Sequence, residues 1–219
     1  MEAVPFVVAH RAGNDLELLR RAELLGPRLI EADVHLYGRR LEVRHLKTLG
    51  PLPILWDRWY LASPRTARLE LATVLSGAGP DTTLMLDLKG RNRRLARRVR
   101  EEIARHRPAG PIAVCSRSWR LLEPFAGDPR VRVVYSVGSR RQLRALRRRF
   151  SGRRLGGISI HRRLLDPVTV ADLRERAELI VSWPVATLDE ARRLAGWGVD
   201  GVITERFEAL VPALAEGAA

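Results

Sequence analysis

An α/β chain closed into a small parallel barrel is the fold class this sequence predicts, from three observations. Eight short apolar strands alternate with amphipathic helical stretches from one end to the other. Two strands, "LIEADVHL" and "LMLDLK", keep one face apolar and set acids on the other, as fits a barrel with helices outside and a polar mouth. No Gly-rich phosphate loop follows the first strand, which argues against an open doubly wound sheet. The expectation is therefore a small TIM (β/α)8 barrel, built as a single domain over residues 1–219.

The strands are expected at "PFVVAH" (5–10), "LIEADVHL" (29–36), "TLMLDLK" (83–89), "PIAVCS" (111–116), "VRVVYSV" (131–137), "GISIH" (157–161), "ELIVSWPV" (178–185) and "DGVITE" (200–205). Each is a short run rich in β-branched or apolar residues. "LEVRHL" (41–46) reads as an extension that pairs with the second strand through a turn at Tyr37–Arg40. Helices are expected near 15–25, 67–77, 91–106, 118–125, 139–150, 168–176, 187–196 and 206–215. Asp15, Ser118, Ser139 and Thr187 stand where N-caps are wanted.

Hydrophobic residues make up 46% of the 219-residue chain, a globular composition. At this size folding buries roughly 70% of the surface an unfolded chain exposes. Cys115 is the one cysteine, so no intrachain disulfide forms and a reducing, cytoplasmic setting is expected. The N-terminal "MEAVPFVVAHRAG" reads as a first strand rather than a leader.

The net charge of +14 raises the question of nucleic acid, but its detail points elsewhere. Of 39 basic residues only Lys47 and Lys89 are lysines, a skew typical of coding bias. The densest run, "RNRRLARRVREEIARHR" (91–107), places Leu95, Val99 and Ile103 on one face, making an amphipathic helix with a solvated basic side. Aromatic residues are not interleaved with the arginines as a single-strand stacking platform needs. No nucleic-acid partner is expected.

"LIEADVHL" poses the chemical question. Ile30, Ala32 and Val34 face the helices, so Glu31 and Asp33 face the mouth. A buried unpaired carboxylate costs several kcal/mol, and two neighbours repel. Either a hard divalent cation, Mg²⁺ or Ca²⁺, or paired arginines must answer that charge. "LMLDLKG" repeats the pattern on the next strand and brings a third acid, Asp87, beside the first two, which favours a metal cup. Lys89 is a compact ammonium in an arginine-rich chain, suited to a phosphate oxygen or serving as counter-ion to Asp87.

His10 ends the first strand and His45 ends the extension, in "LEVRH". Two histidines flanking an acid cluster are candidates for a general acid and base. His35 is expected past the strand end, His106 at a helix C-terminus where its charge complements the dipole, and His161 at the mouth. Trp56 and Trp59, in "ILWDRWY", cover the mouth or touch a lipid surface; Cys115 is a buried apolar group; Ser116 is a weak phosphate candidate.

"HR" at 10–11, "EADV" at 31–34, His45 after "LEV", "DLK" at 87–89 and the stretch "LIVSWPVATLDEARRLAGWGVDGVITERFEAL" together resemble the glycerophosphodiester phosphodiesterases over nearly the whole chain. The resemblance implies a barrel with a divalent metal on Glu31, Asp33 and Asp87, His10 and His45 as the acid–base pair, Arg11 and Lys89 on the phosphodiester, and Trp183 shaping the alcohol pocket. Asp87 stands where the family usually has Glu, "HL" follows where it usually has "HD", and the insertion after the second strand is much reduced, to residues 46–66. The implied activity is metal-dependent cleavage of glycerophosphodiesters to an alcohol and glycerol phosphate, on a small phosphodiester or lysolipid with transient membrane contact. The short insertion and Asp-x-Lys also resemble the phospholipase D/sphingomyelinase D barrel enzymes, which implies a cyclising phosphodiesterase as the alternative. A non-catalytic anion- or nucleic-acid-binding barrel is the remaining class.

Overall fold

A computed structural model describes residues 4–48, 55–57, 60–62 and 68–216. In chain order its strands are β1 (Phe6–Ala9), β2 (Leu29–Tyr37), β3 (Arg40–Val43), β4 (Lys47–Thr48), β5 (Leu55–Asp57), β6 (Tyr60–Ala62), β7 (Leu69–Glu70), β8 (Leu84–Leu88), β9 (Ile112–Ser116), β10 (Val131–Val137), β11 (Gly157–His161), β12 (Ile180–Trp183) and β13 (Gly201–Thr204). Its α-helices are α1 (Leu16–Leu25), α2 (Leu71–Gly77), α3 (Arg93–His106), α4 (Arg140–Arg149), α5 (Pro167–Arg176), α6 (Leu188–Gly196) and α7 (Phe207–Glu216). The parallel order β1-β13-β12-β11-β10-β9-β8-β2 closes on itself through a β1–β2 pairing. That is the expected TIM (β/α)8 barrel.

Strand parity divides the core into two. Val8, Leu29, Met85, Ala113, Cys115, Val134, Val181 and Ile203 fill the barrel interior. Ile30, Ala32, Val34, Leu84, Leu86 and Leu88 point outward into the layer shared with the helices. Glu31, Asp33 and Asp87 therefore follow Leu29 and Met85 inward, one and two steps higher. On α3 the stripe Leu95, Val99 and Ile103 is buried, as its spacing predicts. Asp15, Ser139 and Thr187 accept backbone N–H bonds as N-caps; Asn92 and Asp166 do so as well.

Four local expectations are corrected. Residues 118–125 form two 3-10 turns, Trp119–Leu121 and Glu123–Phe125, instead of an α-helix. Pro124 lacks an N–H and crowds the preceding turn, so the longer helix cannot propagate. Ser118 consequently caps nothing with its side chain. Leu69 and Glu70 pair with β3, so α2 begins only at Leu71. His35 lies within β2, opposite Glu42 of β3, rather than past its end. Within residues 46–66, β4, β5 and β6 form a small antiparallel sheet. No helix among the described residues is long and apolar enough to cross a membrane.

The α2–β8 connection is held by two side chains, Arg107 and Glu23, whose Oε1 accepts from Gly79 N (2.8 Å) and Thr82 Oγ1 (2.6 Å). Arg107 is buried, and its guanidinium donates to the carbonyl oxygens of Ala78 (3.1 Å), Gly79 (2.8 Å) and Thr82 (2.5 Å). Arg107→Ala orphans these carbonyls and leaves a cavity, so it is expected to lower unfolding free energy by about 2–4 kcal/mol. Arg107→Lys recovers only part, because one ammonium cannot span a planar fork of acceptors. Urea denaturation of the three proteins checks this; equal midpoints contradict it.

Candidate active site

β1 ends at Ala9, and His10 continues its direction, its N–H bonded to Thr204 O. Arg11 then turns left-handed, at φ 59°, a conformation uncommon outside glycine. The turn aims the Arg11 N–H at Glu31 Oε2, 2.7 Å away. The following 3-10 turn lies so close to β2 that a Cβ on Gly13 would come within 2.8 Å of Ala32 Cβ. That approach lets Asn14 clasp Asp33 twice: Nδ2 donates to Asp33 Oδ2 (3.0 Å) and Oδ1 accepts from Asp33 N (2.7 Å).

β3 folds back antiparallel on β2, and Arg44 N donates to Asp33 O at 3.0 Å. This returns His45 to the mouth, with Nδ1 3.3 Å from Asp33 Oδ2. From β8, Lys89 places Nζ 2.6 Å from Asp33 Oδ1 and bonds Asp87 Oδ2. Glu31, Asp33 and Asp87 each offer an oxygen within 4.8 Å of the others. Glu31 and Asp33 are 3% and 1% exposed, so water does little to screen them.

Burial, followed by the Asp33 charge, pushes the Glu31 carboxyl well above the usual carboxylate range. Burial pushes Asp33 the same way, but the His45 hydrogen bond and the Lys89 ammonium win and hold it well below that range. Asp87 is raised by burial against the pull of Lys89. Burial works against the Lys89 ammonium, yet the Asp87 and Asp33 charges raise its pKa. Burial and the Arg11 charge lower His10 to about 4, so its imidazole is neutral at pH 7. Cys115, in register with Asp87, is kept a neutral thiol by burial and the acids above it.

The donor set suits a hard divalent cation: three inward carboxylates face the Lys89 ammonium and, 3.8 Å from Asp33, the Arg11 guanidinium, and Asp87 Oδ1 is buried with no hydrogen-bond partner among the described residues. All eight site residues named from the sequence lie at the C-terminal end of the barrel. His10, Arg11, Glu31, Asp33, His45, Asp87 and Lys89 form one connected group. Trp183 stands apart from them at the end of β12, its ring against His161.

Glu205 and Asn14 were not assigned roles from sequence. Glu205 Oε1 lies 3.4 Å from His10 Nδ1 and 2.7 Å from Arg11 Nη1. Its inward parity, two residues beyond Ile203, was the available signal. Ser116 is spent on the backbone, its Oγ donating to Leu88 O and accepting from Ser118 N, which ends its candidacy for phosphate. Burial and the Arg44 charge lower His35 to about 3, and His106 closes α3 against Glu102. Trp59 lies outside the described residues, as does the Trp56 side chain.

No family model matches the sequence, and a search of curated proteins finds no match. Solved structures do match. A glycerophosphodiester phosphodiesterase from Parabacteroides distasonis superposes with a TM-score of 0.78 at 22% identity, covering 100% of both chains. One from Thermotoga maritima gives 0.76 at 20% identity, over 95% of this chain and 98% of that one. A phosphodiesterase from Oleispira antarctica, solved with the product sn-glycerol-3-phosphate, gives 0.76 at 18% identity over 97% of each chain. The chain thus has the barrel fold of these phosphodiesterase structures, over essentially its whole length.

Proposed function

We propose that the protein belongs to the glycerophosphodiester phosphodiesterases and cleaves a glycerophosphodiester to an alcohol and glycerol phosphate. The observation that carries this reading is the trio Glu31, Asp33 and Asp87, within 4.8 Å of one another at the barrel mouth between two histidines. The Oleispira structure, holding sn-glycerol-3-phosphate as product, supports the glycerol phosphate half of the substrate.

Glu31, Asp33 and Asp87 would hold Mg²⁺ or Ca²⁺, which when bound neutralises charge on the phosphoryl oxygens. Arg11 and Lys89 bind the remaining phosphodiester oxygens, Arg11 by its planar fork and Lys89 as a point charge. His10 faces Glu205 through Nδ1 and the acid cluster through Nε2, 4.0 Å from Glu31 Oε2. A neutral Nε2 in that position accepts a proton from the attacking hydroxyl, either water or a hydroxyl of the substrate's own glycerol; the second route forms a cyclic phosphate, which a water molecule then opens to glycerol phosphate. His45, held on Asp33 through Nδ1, delivers a proton to the leaving alkoxide. Asn14 is a positioning residue: it fixes Asp33, and through Asp33 the His45 ring.

The test is turnover of a panel of glycerophosphodiesters by purified protein, followed by ³¹P NMR so that cyclic and open phosphates are told apart. Turnover is expected to fall at least a hundredfold in EDTA and to return with excess Mg²⁺ or Ca²⁺. Cleavage of none of the diesters, or cleavage indifferent to EDTA, overturns the reading.

A further inference from the structure

On the arc of the rim beyond β8, three other strands end in side chains that meet, the first of them, β9, flanking the strand of Asp87 and Lys89. Arg117 continues the inward parity of Ala113 and Cys115 from β9; Trp183 continues that of Val181 on β12. His161, on β11, is in register with Trp183. The His161 ring stands edge-on to the Trp183 ring, at 4.9 Å and 75°, and the Arg117 guanidinium carbon lies 5.9 Å from the Trp183 ring centroid. His161 Nδ1 accepts the Arg163 N–H at 3.2 Å, so the neutral imidazole carries its proton on Nε2 and is a donor there. Burial and the neighbouring Arg163, Arg162 and Arg117 charges lower its pKa and keep it neutral.

The charges of the mouth are thus unevenly placed. Glu31 and Asp33 on β2, Asp87 on β8 and Glu205 just past β13 occupy the arc from β13 through β1 to β8, where Arg11 and Lys89 answer them. Arg162 is bonded to Glu190. No carboxylate among the described residues lies within ion-pair distance of Arg117. Its exposed guanidinium has an aromatic platform beneath it instead, which orients the planar fork at little cost in entropy.

We propose that Arg117, with the His161 Nε2–H and the Trp183 ring, forms the subsite for the alcohol half of the diester and selects alcohols that carry an anionic group such as a second phosphate. This rests on the phosphodiesterase reading. A quaternary ammonium alcohol seeks an open aromatic face; here the Trp183 face is taken by a cation, the Arg117 guanidinium. A phosphorylated polyol meets a planar donor fork, a second N–H donor and an apolar wall.

The discriminating experiment measures kcat/KM for wild type, Arg117→Leu and Arg117→Lys on glycerophosphoinositol phosphate, glycerophosphoinositol and glycerophosphocholine. Wild type is expected to prefer the phosphorylated alcohol over choline at least tenfold. Arg117→Leu is expected to shrink that ratio at least tenfold, and Arg117→Lys to keep most of it. A ratio unchanged in Arg117→Leu, or a uniform loss on all three substrates, overturns the subsite while leaving the phosphodiesterase reading intact. Cleavage of none of the three by wild type overturns both.

Discussion

Glu31→Gln and Asp33→Asn are each expected to cut turnover roughly a thousandfold, about 4 kcal/mol of barrier, yet to move the stability of the metal-free protein in opposite directions. The loss of turnover follows from removing one oxygen ligand of three. The divergence follows from their surroundings. The Glu31 carboxyl is raised in the folded state by burial and by Asp33. Above the ordinary carboxylate pKa the folded chain therefore keeps a proton the unfolded chain has lost, and stability falls as pH rises through that range. Glutamine carries no such cost, so Glu31→Gln without metal should melt a few °C higher at pH 8. Asp33 is the reverse case, held ionised by His45 and Lys89. Its contribution is present above the ordinary carboxylate pKa and is lost as pH falls toward its depressed folded value. Asp33→Asn strips Lys89 of one buried partner and is expected to cost about 3 kcal/mol. Added Mg²⁺ or Ca²⁺ should raise the melting temperature of wild type and of neither variant. Thermal melts with EDTA and with metal check both halves. Matching shifts in the two variants contradict the electrostatics assigned here.

The second large effect concerns the histidines. His10→Ala and His45→Ala should each lower kcat by about 10²–10⁴ while the metal-dependent rise in melting temperature survives, since neither supplies a ligand oxygen. His10, lowered to about 4, stays neutral across the working range. The acidic limb of kcat/KM set by this residue should therefore lie well below the ordinary histidine pKa of about 6.5. The same shift makes His10 a stabilising neutral group above pH 6.5, whose contribution is lost as pH falls from there to 4, because the unfolded chain binds the proton first. An acidic limb of kcat/KM breaking near 6.5, or a His10→Ala variant turning over near the wild-type rate, contradicts the assignment of His10 as base.

Parity along strands made most of the site legible. Glu31, Asp33 and Asp87 alternate with residues too apolar to face anything but the helices, so their direction was fixed before any distance was known. The same alternation reaches Arg117 and Glu205, but both stand just past a strand end, and one more arginine in an arginine-rich chain carries no signal. Asn14 acts through a bond to the backbone of Asp33 that exists only once the 3-10 turn has settled on β2. The buried Glu42, bonded by Arg44 just past its own strand and by Arg68 across 26 residues, was invisible for a similar reason: pairing at that separation exists only in the folded chain. The helix expected at 118–125 failed on a legible residue, Pro124, whose cost outweighed a favourable apolar spacing.

Anomalous diffraction from crystals grown with Mn²⁺, a stand-in for Mg²⁺ with a usable absorption edge, tests the metal centre most directly. One peak is expected at the mouth, ligated by oxygens of Glu31, Asp33 and Asp87 at about 2.0–2.3 Å. Density without a peak there, with Lys89 still seated between Asp33 and Asp87, would contradict it.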